Sequence, residues 1–165
     1  MLKIGIIGLG TVGSSVLNIL KDNKEIIEAR AGKQIEVVRA VVKDMSKKRD
    51  FDIPISDNIN DILDDESIDI VIELTGGVDV PYKIVKQSLL NKKSVITANK
   101  AMLAYHRDEL EEISSNLSFG YEASVAGGIP IISSLRDGLS ANNIQQITGI
   151  MNGTCNYILS KMYEQ

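Results

Sequence analysis

An apolar run over residues 2–7 predicts a strand. The apolar positions that follow (Val12, Val16, Ile19, Leu20, Ile26 and Ile27) keep helical spacing across 11–31. Residues 35–43 (IEVVRAVVK) are rich in β-branched side chains and predict a second strand, completing a right-handed βαβ unit. A polar, charged stretch over 44–56 predicts a loop, after which Asp57 or Asn58 caps a short helix reaching Leu63. Residues 68–74 (IDIVIEL) form a nearly continuous apolar run, the pattern of a parallel strand covered on both faces. Then come a Thr75-Gly76-Gly77 turn, a helix over 80–90, a strand over 94–98, a helix over 105–115 and a strand over 117–123. This alternation predicts an α/β fold on a Rossmann-type, doubly wound and mainly parallel sheet, with ligands at the carboxyl ends of its strands.

The pattern changes after Ala123. A glycine-rich loop over 124–130 precedes a predicted helix over 131–139, a strand over 143–151 and an amphipathic segment over 154–163. A lone strand needs neighbours. The expected organisation is one domain over 1–125, with 126–165 the first elements of a second, α+β domain whose remainder is absent from the chain.

Between the first strand and the first helix stands Gly8-Leu9-Gly10-Thr11-Val12-Gly13, a G-x-G-x-x-G loop. The first glycine makes the tight turn, the second admits a pyrophosphate to the backbone, and the third lets helix pack on strand. The helix start then offers unpaired N–H groups and a partial positive charge to phosphates. In this context the loop points to a dinucleotide.

Composition narrows the partners. The 165 residues carry a net charge of −4 and a pI near 5.1, which argues against nucleic acid or an anionic membrane surface. The 44% apolar content is enough for a core, yet no run approaches the roughly 20 apolar residues of a membrane span. The glycine-broken apolar start is not a secretory signal. Cys155 is the only cysteine, so no internal disulfide is possible and a reducing, cytoplasmic setting is expected. His106 has no Cys or His neighbour in sequence to make a metal site with it.

The strand-end loops hold the remaining candidates. Glu73-Leu74-Thr75-Gly76-Gly77 sits where the middle of a dinucleotide would pass, and Thr97-Ala98-Asn99-Lys100 ends the strand after that. A lysine there could hold a nicotinamide ribose or protonate a carbonyl during hydride transfer; it could equally be a solvated surface lysine. The second strand ends Val42-Lys43-Asp44, with Lys47, Lys48 and Arg49 beyond it. Lys43 with that cluster suits the 2′-phosphate of NADP, and the reading leans to NADP over NAD. Asp44, turned inward, would instead serve the ribose 2′-OH of NAD.

Two later segments, FGYEASVAGGIPI (119–131) and GIMNGTCNYIL (149–159), closely resemble signature segments of the homoserine dehydrogenase family. The GLGTVG loop, the ELTGG turn and the TANKAMLA segment (97–104) are similar to that family too, in the same order. The resemblance implies NAD(P)-dependent interconversion of homoserine and aspartate 4-semialdehyde, on the route to threonine, methionine and isoleucine. It also implies a homo-oligomeric parent enzyme. Under it, Gly8, Leu9, Gly10, Thr11, Val12 and Gly13 hold the pyrophosphate, and Thr75, Gly76 and Asn99 line the cofactor. Lys100 lies beside nicotinamide and substrate as the catalytic lysine. Glu122, Val125, Gly127 and Ile129 match positions that bind a monovalent cation such as sodium. Carbonyl oxygens in a glycine-rich loop suit a hard cation, although the same glycines would also serve a tight turn. The family's substrate-binding acidic residues and second lysine fall downstream of NGTCNYIL, so this polypeptide is expected to be catalytically incomplete. The competing expectation is a regulatory module that binds NAD(P)H without chemistry.

Overall fold

The computed structural model describes residues 1–150 and 152–164. Six strands form one sheet in the order β3-β2-β1-β4-β5-β6, all neighbours parallel: β1 (Leu2–Ile7), β2 (Ile35–Val41), β3 (Ile55–Ser56), β4 (Ile70–Glu73), β5 (Ser94–Thr97) and β6 (Phe119–Gly120). The order reverses between β1 and β4, which makes the carboxyl ends of those two strands the switch point where ligands bind in such sheets. The doubly wound parallel sheet expected from the alternation is therefore present.

The central strands are mainly apolar because helices cover both faces. On one face Ile7, Val41, Val71 and Val95 pack with Ile84, Val85 and Leu89 of α4 (Asp79–Leu90) and Met102 and Leu110 of α5 (Lys100–Ile113). On the other, Ile4, Ile6, Ala40 and Ile72 pack with Leu17 of α1 (Thr11–Asp22). Alternate residues of one strand thus serve two cores, as period-two geometry requires. Cover on the α1 side stops at β4, since Ile96 of β5 is in register with Ile72 yet exposed.

Local chemistry moved several boundaries. The helical stretch expected over 11–31 is two helices, α1 and α2 (Lys24–Ala31), broken at Asn23, whose N–H closes α1 on the Ile19 carbonyl. The loop expected over 44–56 contains β3, two residues long, which pairs with Ala40 and Val41. Asn58 does serve the start of α3 (Asn60–Leu63): its Oδ1 accepts from the Asn60 N–H at 3.1 Å.

The strand expected over 143–151 is corrected. Residues 143–150 form no strand, having no partner edge among the described residues, and Met151 lies outside them. After a 3₁₀ turn (Glu122–Ser124) come α6 (Ile131–Ser133), which runs on as a π-helical turn to Gly138, and α7 (Gly153–Tyr163), capped by the Asn152 side chain. From Val125 onward no described residue is buried.

Candidate functional site: a cleft at the carboxyl ends of β1, β2 and β4

β1 delivers the glycine loop to the switch point. Gly8 sits at φ +105°, a left-handed conformation, and a Cβ there would lie 2.8 Å from the Leu74 carbonyl oxygen. Gly13 lies so close to Gly8 that a Cβ on it would overlap the Gly8 carbonyl oxygen. Gly10 differs from both, because a Cβ there would meet nothing within 4 Å. The first and third glycines are thus filled by protein, while the second faces open space.

α1 starts at that space. Its N-cap is Gly10, with no side-chain cap and no acidic residue in the first turn, and its opening bond runs from the Ser14 N–H to the Gly10 carbonyl at 3.0 Å. The earlier N–H groups have no carbonyl within the helix to reach. Open space, unpaired donors and the positive helix end together fit a pyrophosphate.

A cavity of about 600 Å³ adjoins the loop. Val41, Ile59 and Ile84 give it apolar walls, and Lys43, Asp57 and Thr75 bring polar groups to it. Asp44 does not line it; its Oδ1 accepts from the Ser46 N–H and hydroxyl at 2.9 and 2.6 Å. Those Ser46 bonds hold the Asp44 carboxyl below its ordinary range. Arg49 is likewise engaged, its Nη1 donating to the carbonyls of Asp44 and Lys47. Of the basic cluster, Lys43 is the residue that reaches the cavity. Asp57 beside it was read from the sequence only as a helix cap, and nothing in its spacing marks it as a cavity residue.

Glu73, the last residue of β4, is fully buried. Its Oε1 accepts from the N–H and hydroxyl of Thr75, both at 2.6 Å, and its Oε2 accepts from the Thr97 hydroxyl at 2.7 Å. Thr97 Oγ1 in turn accepts from the Asn99 N–H at 3.1 Å. The Asn99 side chain donates to the carbonyls of Thr75 and Gly77 at 3.2 and 2.8 Å, and caps α5 by accepting from the Met102 N–H at 3.0 Å. Lys100 is the first residue of α5, exposed, and no acidic partner for it is found among the described residues. The structure thus places Thr75 and Gly76 on the cavity and Asn99 and Lys100 beyond it, with Thr75 and Asn99 joined through a single hydrogen-bonded network.

The loop expected to hold a cation follows β6. Ala126 and Gly127 take left-handed conformations at φ +54° and +62°. The carbonyls of Glu122, Ala126 and Ile129 accept turn bonds from Val125, Ile129 and Ile131. The Glu122 carboxylate points at the start of α6, accepting from the N–H groups of Ile132 and Ser133 at 2.9 and 2.8 Å. Burial pushes that carboxyl up, but the Ser133 and Ile132 bonds outweigh it and leave the group below its ordinary value. The described residues hold no cluster of three or more His, Cys, Asp or Glu side chains fit for a metal. His106 stacks on Tyr82 with ring centres 3.9 Å apart, and Cys155 is exposed. Larger than the cleft is a cavity of about 720 Å³ at the opposite end of the sheet. Buried Lys93 lies beside it, its Nζ donating to the carbonyls of Asp65 and Ile68. No described helix is long and apolar enough to cross a membrane.

The sheet order, the glycine loop and the cleft define a Rossmann-type dinucleotide-binding protein. Residues 8–119 match the model of the homoserine dehydrogenase NAD-binding domain, and residues 130–165 match that of homoserine dehydrogenase itself. The chain belongs to the homoserine dehydrogenase family. It is 54% identical over 163 residues to homoserine dehydrogenase of Helicobacter pylori, across 99% of this chain and 39% of that one. The crystal structure of a homoserine dehydrogenase from Thiobacillus denitrificans superposes with a TM-score of 0.90 at 43% identity, covering 99% of this chain and 39% of the other. A hyperthermophilic archaeal homoserine dehydrogenase in complex with NADPH superposes at 0.79 with 25% identity, covering 99% of this chain and 56% of that one. The chain therefore spans about 39% of the length of its bacterial relatives.

Proposed function

We propose that this chain provides the NAD(P) cradle and one catalytic lysine for the interconversion of homoserine and aspartate 4-semialdehyde. The observation that carries the reading is the division of labour among the three glycines, where protein packs against Gly8 and Gly13 while Gly10 faces open space at an uncapped helix start. Residues Gly8 to Gly13 would hold the pyrophosphate, with Thr75, Gly76 and Asn99 along the cofactor. Lys43 on the cavity favours NADP, and the archaeal relative is known in complex with NADPH. When bound, the nicotinamide supplies hydride to the aldehyde carbon and takes it back on oxidation of the alcohol. The proton that balances the reduction goes to the carbonyl oxygen, and Lys100 would deliver it or orient the group that does. Residues 126–165 are assigned to a second, substrate-carrying domain, in a homo-oligomeric cytoplasmic enzyme. In the loop that spans this boundary, the carbonyls of Glu122, Val125, Gly127 and Ile129 would hold sodium. Two of them already accept a turn bond, and each carbonyl keeps a second lone pair.

Calorimetric titration of the chain with NADPH and NADH tests the cradle, and saturable binding of NADPH is expected. Absence of binding to both cofactors by folded protein would overturn the reading. In an active homoserine dehydrogenase carrying this segment, Lys100→Ala should abolish homoserine-dependent NADP reduction while leaving NADPH affinity within about threefold.

A further inference from the structure

We propose that Glu73 is a positioning residue for the cofactor cleft, holding the Thr75–Gly77 turn in register with the start of α5. The proposal rests on the reading of that cleft as the NAD(P) site. Glu73 occupies a core position: it falls in phase with Val71 on a strand whose other inward residues are apolar, and it has no exposed surface. A carboxylate there loses its hydration and recovers it from only three neutral donors, the N–H and hydroxyl of Thr75 and the hydroxyl of Thr97. No cation is paired with it among the described residues. A valine or isoleucine would satisfy the packing of a buried strand without that desolvation cost. The three donors come from two strand-end segments, one on the cleft and the other beyond it, and Asn99 closes the ring by returning to the carbonyls of Thr75 and Gly77. Glu73 therefore converts two separate loops into one rigid wall, with Thr75 on the cavity side and Lys100 at its far end.

The test uses the chain itself, with NADPH as probe and the amide resonances of the turn as a second readout. Glu73→Gln preserves shape but replaces an acceptor oxygen with a donor, so the Thr97 hydroxyl must turn to accept from the new amide and its own proton loses the carboxylate acceptor. The expected result is a folded variant whose NADPH affinity falls about tenfold or more. Its Thr75 amide resonance should move while those of residues 24–31 on α2 stay in place. Thr97→Val removes only the β5 end of the bridge, and should lower affinity in the same direction if Glu73→Gln fails to fold. Native-level affinity, within about twofold, in a folded Glu73→Gln or Thr97→Val variant would overturn the positioning role while leaving the cofactor reading intact. If the native chain binds no NADPH, the cofactor reading fails and the role assigned to Glu73 fails with it.

Discussion

Gly13, in the first turn of α1, packs directly on the carbonyl oxygen of Gly8 at the end of β1, at a separation no side chain would permit. Helix and strand meet through bare backbone, which seats α1 with its N-terminus at the switch point. Gly13→Ala forces α1 outward or the loop open. Overpacking of this kind costs about 1–3 kcal/mol, and at roughly 2–4 °C per kcal/mol for a chain of this size it should lower Tm measurably. An unchanged thermal transition would show that the contact is softer than drawn.

Gly10 gives the opposite outcome. Its backbone is extended (φ −82°, ψ −158°), a conformation valine adopts freely, and the space beside it is empty of protein. Gly10→Val meets no packing but gives up a favoured N-cap residue, so it should cost no more than about 1 kcal/mol. NADPH binding should nevertheless be lost, because the branched side chain fills the place of the pyrophosphate. A variant destabilised by more than that, or one that still binds, would count against the pyrophosphate assignment.

Lys43 and Asp57 line one cavity with opposite charges, so cofactor choice depends on their balance. Lys43→Ala should weaken NADPH about tenfold through loss of a charge-assisted bond and NADH much less. Asp57→Asn removes a carboxylate that repels the 2′-phosphate and should shift preference further toward NADPH. Parallel titrations with both cofactors check this. Equal losses for NADPH and NADH in Lys43→Ala would refute the preference for NADP.

How much of this was legible in the sequence depends on the range of the interaction involved. Strands covered on both faces carry mainly apolar, β-branched runs, so β1, β2 and β4 could be found from pattern alone, and the glycine loop announced its turn by spacing. β3 could not, because two residues inside a charged loop have no period; their strand character comes from the neighbouring Ala40 and Val41. The helix expected over 105–115 starts five residues earlier as α5, because Asn99 caps it. That residue is itself an N-cap type, and its Oδ1 accepts from the Met102 N–H. The stretch over 143–150 sets Ile144, Ile147 and Ile150 among polar residues, a strand-like pattern with no edge to pair with. Glu73 was visible as a residue, but its burial and its three donors follow from the approach of β4 to β5, which no local pattern encodes.

Glu122 links the end of the sheet to α6 through charge-assisted bonds from Ile132 and Ser133, and this gives the junction a pH dependence of definite sign. Its carboxyl titrates below the ordinary 4.5 in the folded chain. A depressed carboxylate contributes stability that is fully present above the unfolded pKa and is lost as pH falls through the folded one. The junction should therefore hold at neutral pH and loosen below about pH 4.5, with no change between pH 6 and 8 from this group. In an NMR titration the Ile132 and Ser133 amides should move together, with a shared midpoint below 4.5. Glu122→Gln should abolish that titration and raise amide exchange at both positions even at neutral pH. Two different midpoints, or a titration that survives the substitution, would mean that another carboxylate governs the junction.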